Sequence, residues 1–252
     1  MIKFFRNIRQ KLLTENKISK YLLYAIGEIV LVVIGILIAL SINNWNETEK
    51  QNVKNRNLIV RLKNQISQNI DITKGEVESS KLQTKRMGAL ISMLGETLGD
   101  SNKIKADSLI FYSTKDYYII LDMNTINEAL DNGEISLIEN DSLKLMIYKL
   151  LSFVDLIKER ESIANEDNNN FLVPYIYKNV NKRSNKSNLL ENYRKQIGHS
   201  KLEENNYRDI AMDLEFENLI DSRLLYAIEL SLLYQELNRI LEKTKEILDK
   251  EK

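Results

Sequence analysis

From Tyr21 to Ile42 the chain reads YLLYAIGEIVLVVIGILIALSI, 22 residues in which Glu28 is the single charge. At about 1.5 Å per residue a helix of this length reaches roughly 33 Å, slightly more than a hydrocarbon core of about 30 Å. After Glu47 polar residues dominate, and apolar ones return at helical spacing. Leu58, Leu62, Ile66 and Ile70, with Ile59 beside them and Val77 beyond, predict one long amphipathic helix growing out of the apolar run. Met87, Leu90, Ile91 and Leu94 predict a second helix over 82–98, ending near Gly95 and Gly99.

Further along, residues 107–112 suit a short helix, and DYYIILDM (116–123) is a β-branched and aromatic run that suits either an extended segment or a helical turn. Thr125 and Glu128 are spaced as a capping box, and Asn132-Gly133 as a helix stop. A helix starting at Asn140 or Asp141 carries the stripe Leu143, Ile147, Leu150, Val154 and Ile157 toward Phe171, with Pro174 ending or kinking it. The run 179–188, rich in Asn, Lys and Ser, reads as a solvated loop. Residues 189–197 form a short helix closed by Gly198. Tyr226, Leu230, Leu233, Leu237, Ile240, Thr244 and Ile247 alternate four- and three-residue steps, a heptad seam that pairs within the chain by default or with a second copy.

These patterns predict an all-α protein: a single transmembrane helix followed by a helical bundle with long helices. Composition agrees, since 8 Gly and 1 Pro in 252 residues leave few positions for sheet turns. The net charge of zero conceals an asymmetry. Lys3, Arg6, Arg9, Lys11, Lys17 and Lys20 stand against Glu15 alone in residues 1–20, giving +5. With Glu28 the only charge in 21–42, residues 43–252 carry −4. Positive charge on one flank places residues 1–20 in the cytoplasm, 21–42 in the membrane and 43–252 outside. Tyr21 and Tyr24 at one end and Trp45 at the other suit the headgroup zones. The segment is too long for the apolar region of a signal peptide. Met1, Phe5, Ile8 and Leu12 give the basic head an apolar stripe for the membrane surface, and 20 residues are too few for a folded output domain. Partners expected from this layout are the lipid bilayer and a second membrane helix, of this protein or another, and not nucleic acid.

The chemistry is sparse. No Cys occurs and His199 is the single histidine, which excludes thiolate or histidine-cluster metal sites and a Cys nucleophile. His199 sits in a polar loop without a matching nucleophile. Glu139, Asp141, Glu159 and Glu161 read as caps or solvated side chains. No Gly-rich phosphate loop, GxSxG or HExxH is present. The expectation is a protein that is not an enzyme and has no catalytic residue, cofactor or metal. Glu28 is the anomaly. A charge at the centre of a membrane helix costs about 2.5–3.5 kcal/mol, so the neutral acid or a polar partner is favoured. It shares a helical face with Tyr24, Val32, Gly35 and Ala39, and the Gly35/Ala39 pair permits close approach of a second helix. Glu28, Gly35 and Ala39 are therefore a candidate helix-association face in the membrane.

The stretches MIKFFRNIRQKLL and YLLYAIGEIVLVVIGILIALSINNWNE, together with TINEALDNGEISLIENDSL and FLVPYI, resemble the domain of unknown function 6090 family, membrane proteins of Bacteroidota. The resemblance implies a single-pass protein of the bacterial inner membrane with a helical periplasmic region, and supplies no catalytic residues. The functions that fit are an anchored interaction or scaffold protein, assembling with itself or a membrane complex, and, as an alternative, an extracytoplasmic sensor or small-ligand-binding module.

Overall fold

The computed structural model describes residues 18–95, 100–202, 205 and 207–251. The amphipathic head expected before residue 18 lies outside these. Every regular element among the described residues is helical. Helix α1 spans Ile18–Ile91, α2 Asp100–Ser113, α3 Asn124–Asp131, α4 Asp141–Asp167, α5 Val173–Asn179, α6 Lys182–Leu189, α7 Glu191–Ile197, α8 Tyr207–Ala211 and α9 Leu214–Leu248. A 3₁₀ turn covers Glu134–Leu137, and a π turn covers Asn168–Leu172. The chain divides into two units, Met1–Asn57 and Leu58–Lys252.

In the first unit, residues 29–51 of α1 are exposed at every position. This helix is long and apolar enough near its start to cross a membrane. Fourteen consecutive exposed residues from Ile29 to Ile42, nearly all apolar, make this stretch the candidate membrane span.

In the second unit α1 continues to Ile91, so the separate helix expected over 82–98 is the same helix carried on. Polar side chains on its inward face hid the continuity: Thr73, Ser80 and Gln83 are buried in line with Leu58, Leu62, Ile66, Ile70 and Met87. Gly75 and Gly88 lie inside it, because a glycine weakens a helix by about 1 kcal/mol without breaking it. Helix α9 runs antiparallel to both α1 and α4, as two pairs on each show: Lys74–Glu242 and Ser80–Ser231 along α1, and Glu161–Tyr234 and Ala164–Arg223 along α4. Leu230, Leu237, Ile240 and Thr244 are buried as expected, with Ala227, Tyr234, Leu241 and Leu248 completing the inward stripe, so the seam packs within the chain.

Two apolar clusters result. One joins α1, α3, α4 and α9; the other joins the end of α1 with α2, α5, α8 and the start of α9. Caps fix the junctions. Asn140 Oδ1 accepts from Leu143 N–H to start α4, as expected. Gly133, at φ +70°, stops α3, and Gly198, also at φ +70°, stops α7. The capping box does not form. Met123 holds the N-cap position without a side-chain bond, and Glu128 instead pairs with Arg61 at 2.6 Å. Pro174 does not end its helix. It lacks the N–H that an α-helix would need there, and the π turn just before it passes the chain into α5. The expected solvated loop over 179–188 contains α6, started by Asn181 Oδ1 accepting from Ser184 N–H and anchored by Asn185, which is buried against Asp107.

Candidate functional site

Glu28, Gly35 and Ala39 recur at seven and four residues along α1, which puts them on one side of the helix. Gly35 and Ala39 are exposed, and a Cβ built on Gly35 meets nothing within 4 Å. Glu28 is partly buried. This face carries apolar surface and a single carboxyl group.

The chemistry that sequence reasoning missed lies inside the second unit, where the two apolar clusters meet. Arg223 on α9 is 0% exposed. Its Nε donates to Ser113 C=O at 3.0 Å, Nη1 donates to Ala164 C=O at 2.9 Å, and Nη2 donates to Lys115 C=O. The guanidinium stacks over the Tyr117 ring, 4.3 Å from its centroid. One arginine thus collects carbonyls from the end of α2, from the segment after it and from α4. Burial pushes the guanidinium down from its ordinary value, opposed by Tyr117, Asp116 and Asp167.

Glu161 was expected to be solvated. It is buried, and its Oε1 accepts from the Tyr234 hydroxyl at 2.6 Å. Desolvation raises its carboxyl above the ordinary range, opposed by the Tyr234 hydroxyl, the Ile119 N–H and the charge of Lys158. Glu76 on α1 is raised by burial first and by the charge of Glu161 second. Burial and the neighbouring Glu161 drive the Tyr234 hydroxyl far up. Both Arg223 and Glu161 occupy positions in otherwise apolar inward stripes, and that spacing was the available signal.

The run 116–123 is neither strand nor helix. Helix side chains hold it in place. Asn165 Oδ1 accepts from Tyr117 N–H and its Nδ2 donates to Tyr117 C=O; Asn69 does the same for Asp122, accepting its N–H at 2.9 Å and donating to its C=O at 2.6 Å. Asn168 Nδ2 donates to Thr114 C=O and to Asp116 Oδ1. These bonds order the crossing. None of them presents a nucleophile to solvent.

A separate open groove of about 820 Å³ lies among α5, α6, α8 and their connections, lined by Tyr175, Tyr177, Lys178, Lys182, Asp209 and Asp213 among others. Asp213 accepts from the Tyr175 hydroxyl at 2.6 Å and from Glu215 N–H, and these bonds hold its carboxyl below the usual range. His199 is exposed after α7, remote in sequence from any nucleophile motif. Glu139, Asp141 and Glu159 are exposed, as expected. Among the described residues no three of His, Cys, Asp and Glu stand close enough together to hold a metal ion.

No curated protein and no solved structure matches the chain. Residues 28–161 match a family whose description is "Family of unknown function (DUF6090)", and the match runs from the apolar helix through the crossing segment into α4. It covers more than half of the 252 residues, and the chain belongs to this family of unknown function.

Proposed function

We propose that the protein is a membrane-anchored helical interaction or scaffold protein without enzymatic activity, assembling with itself or with a membrane complex. Residues 1–20 lie in the cytoplasm, 21–42 cross the inner membrane and 43–252 form the periplasmic part. The observation that carries the reading is the contrast within the chain. Apolar stripes after Leu58 are buried in two cores, whereas the apolar run before Trp45 is exposed and bears the Glu28, Gly35 and Ala39 face. Crosslinking the full chain in native bacterial membranes tests it. Dimers or a discrete larger complex are expected, weakened by Glu28→Leu; recovery of monomer alone under mild conditions overturns it. Because the chain has no cysteine, Ser79→Cys gives a single topology probe on the exposed side of α1. Labelling by an impermeant maleimide from the periplasmic side is expected, and labelling only after the inner membrane is opened reverses the orientation.

A second reading, a sensor or small-ligand module, is favoured by the polar groove between α5 and α8. A solute screen by thermal shift on the full chain tests it, and no shift from any solute counts against it.

A further inference from the structure

The groove among α5, α6 and α8 draws its lining from two stretches of opposite charge. Residues 178–201 hold seven Lys and Arg against Glu191 alone, giving +6. Residues 207–221 hold Asp209, Asp213, Glu215, Glu217 and Asp221 against Arg208 alone, giving −4. Lys178 and Lys182 from the first stretch and Asp209 and Asp213 from the second line the same groove. Even so, neither lysine makes an ion pair among the described residues; Lys182 Nζ lies over the Tyr177 ring, 4.2 Å from its centroid. Asp213 is kept ionised by the Tyr175 hydroxyl and the Glu215 N–H, and the charge of Lys178 acts in the same direction. The groove is also held in shape. The Tyr175 ring stacks on Phe216 at 5.4 Å. Asn205 Oδ1 accepts from Asn181 N–H at 2.6 Å, and Asn181 Nδ2 donates to the Ser200 hydroxyl at 2.9 Å. A site built before its ligand arrives loses little affinity to ordering.

We propose that this groove binds a short peptide by its two charged ends, the α-carboxylate at Lys178 and Lys182 and the α-ammonium at Asp209 and Asp213. A ligand with one charge is drawn by one wall and repelled by the other, whereas a zwitterion is drawn by both. The volume of about 820 Å³ lies in the upper part of the range of small-molecule sites, about 300–1,000 Å³, and gives room for several residues. Asn179 adds an amide that matches a peptide group. Its Nδ2 gives one hydrogen to the Tyr175 C=O at 3.0 Å, leaving a second N–H and the Oδ1 for a ligand. The inference rests on the small-ligand reading above and names the ligand class for it.

The probe is trialanine, titrated by calorimetry into the full chain in detergent, beside its N-acetyl form, its C-terminal amide and free alanine. Trialanine is expected to bind, and blocking either end should weaken it about 10-fold or more, as the loss of a charged hydrogen bond does. Lys178 is exposed, and its side chain makes no hydrogen bond or ion pair among the described residues, so Lys178→Met leaves the fold untouched. It should cut the preference for the free acid over the amide, and adding Lys182→Met should abolish it. Asp213→Asn keeps an N-cap acceptor for α9 and should cut the preference for the free amine over the acetyl form. Melting of each variant without peptide checks that it folds. Preferences unchanged in all the variants overturn the site, as does alanine binding as tightly as trialanine. Failure of trialanine to bind also overturns it. If a solute of another class then shifts melting, the small-ligand reading survives without the peptide; if none does, both fall.

Discussion

Asn165 closes a two-bond ring on the backbone of Tyr117, accepting the N–H at 2.8 Å and donating to the C=O at 2.7 Å across 48 residues of sequence. An amide side chain is the natural group for this, carrying one acceptor and two donors in a plane. Asn165→Ala leaves both backbone groups without their partner. We expect a loss of about 2–4 kcal/mol from two partly buried bonds and their desolvation. Asn169→Ala, at an exposed position of the same helical run, should change stability by no more than about 0.5 kcal/mol. Urea midpoints of the full chain in detergent would compare the two.

Arg223 makes a sharper case, because its charge is buried among carbonyls. Replacing it by Met strands the Ser113 and Lys115 carbonyls, while the Ala164 C=O keeps the Asn168 N–H, and about 2–5 kcal/mol should be lost to the unsatisfied groups. Arg223→Lys should recover little, since an ammonium cannot reach three diverging carbonyls or stack on Tyr117. Near-native melting of Arg223→Lys would show that the fork geometry is dispensable.

Glu161 gives a pH signature. Its carboxyl is raised in the folded protein relative to the ordinary glutamate value of 4.5, so the folded chain binds the proton more tightly than the unfolded one. The resulting penalty is absent below the ordinary value, grows as pH rises through the folded value and is complete above it. Glu161→Gln should therefore be the more stable protein at pH 7, and its advantage should shrink as pH falls toward 4.5. Melting curves across this range read the difference, and an advantage that widens on acidification would contradict the sign. Glu76→Gln should show the same trend more weakly, its own rise coming partly from Glu161.

Gly133 sits at φ +70° between α3 and the 3₁₀ turn, a conformation that costs an L-residue about 1–2 kcal/mol. Space is not the obstacle, since a Cβ there meets nothing within 4 Å. Gly133→Ala should lose about that amount, and Gly133→Asn less, because Asn tolerates the left-handed region; equal stability of all three would remove the backbone argument.

How much of this was visible in the residues alone differs by element. The membrane-length helix and the α4 and α9 stripes were legible, because their apolar spacing is unbroken over several turns. The length of α1 was not, since Thr73, Ser80 and Gln83 interrupt the stripe while remaining inside: Ser80 bonds Ser231, and Gln83 donates to Tyr112 C=O. Spacing alone cannot tell a buried polar residue with a distant partner from an exposed one. The same ambiguity concealed Glu161 and Arg223. It also made the α6 run look like loop, although Asn185 is turned inward onto Asp107. The candidate face of Glu28, Gly35 and Ala39 was legible as a face, being set by helical period alone.

The five residues from Asn168 to Leu172 act as a phase correction in a long helical script. A π turn absorbs one residue more than an α turn, and one residue is worth about 100° of rotation. Deleting any one of Asn168, Asn169 or Asn170 would let the helix close as continuous α and would swing everything beyond it by that angle. Leu172, Tyr175 and Ile176 would then leave the second apolar cluster. Length in this stretch is therefore under a stricter constraint than composition: Asn169 and Asn170 are exposed and free to vary in kind, but not in number.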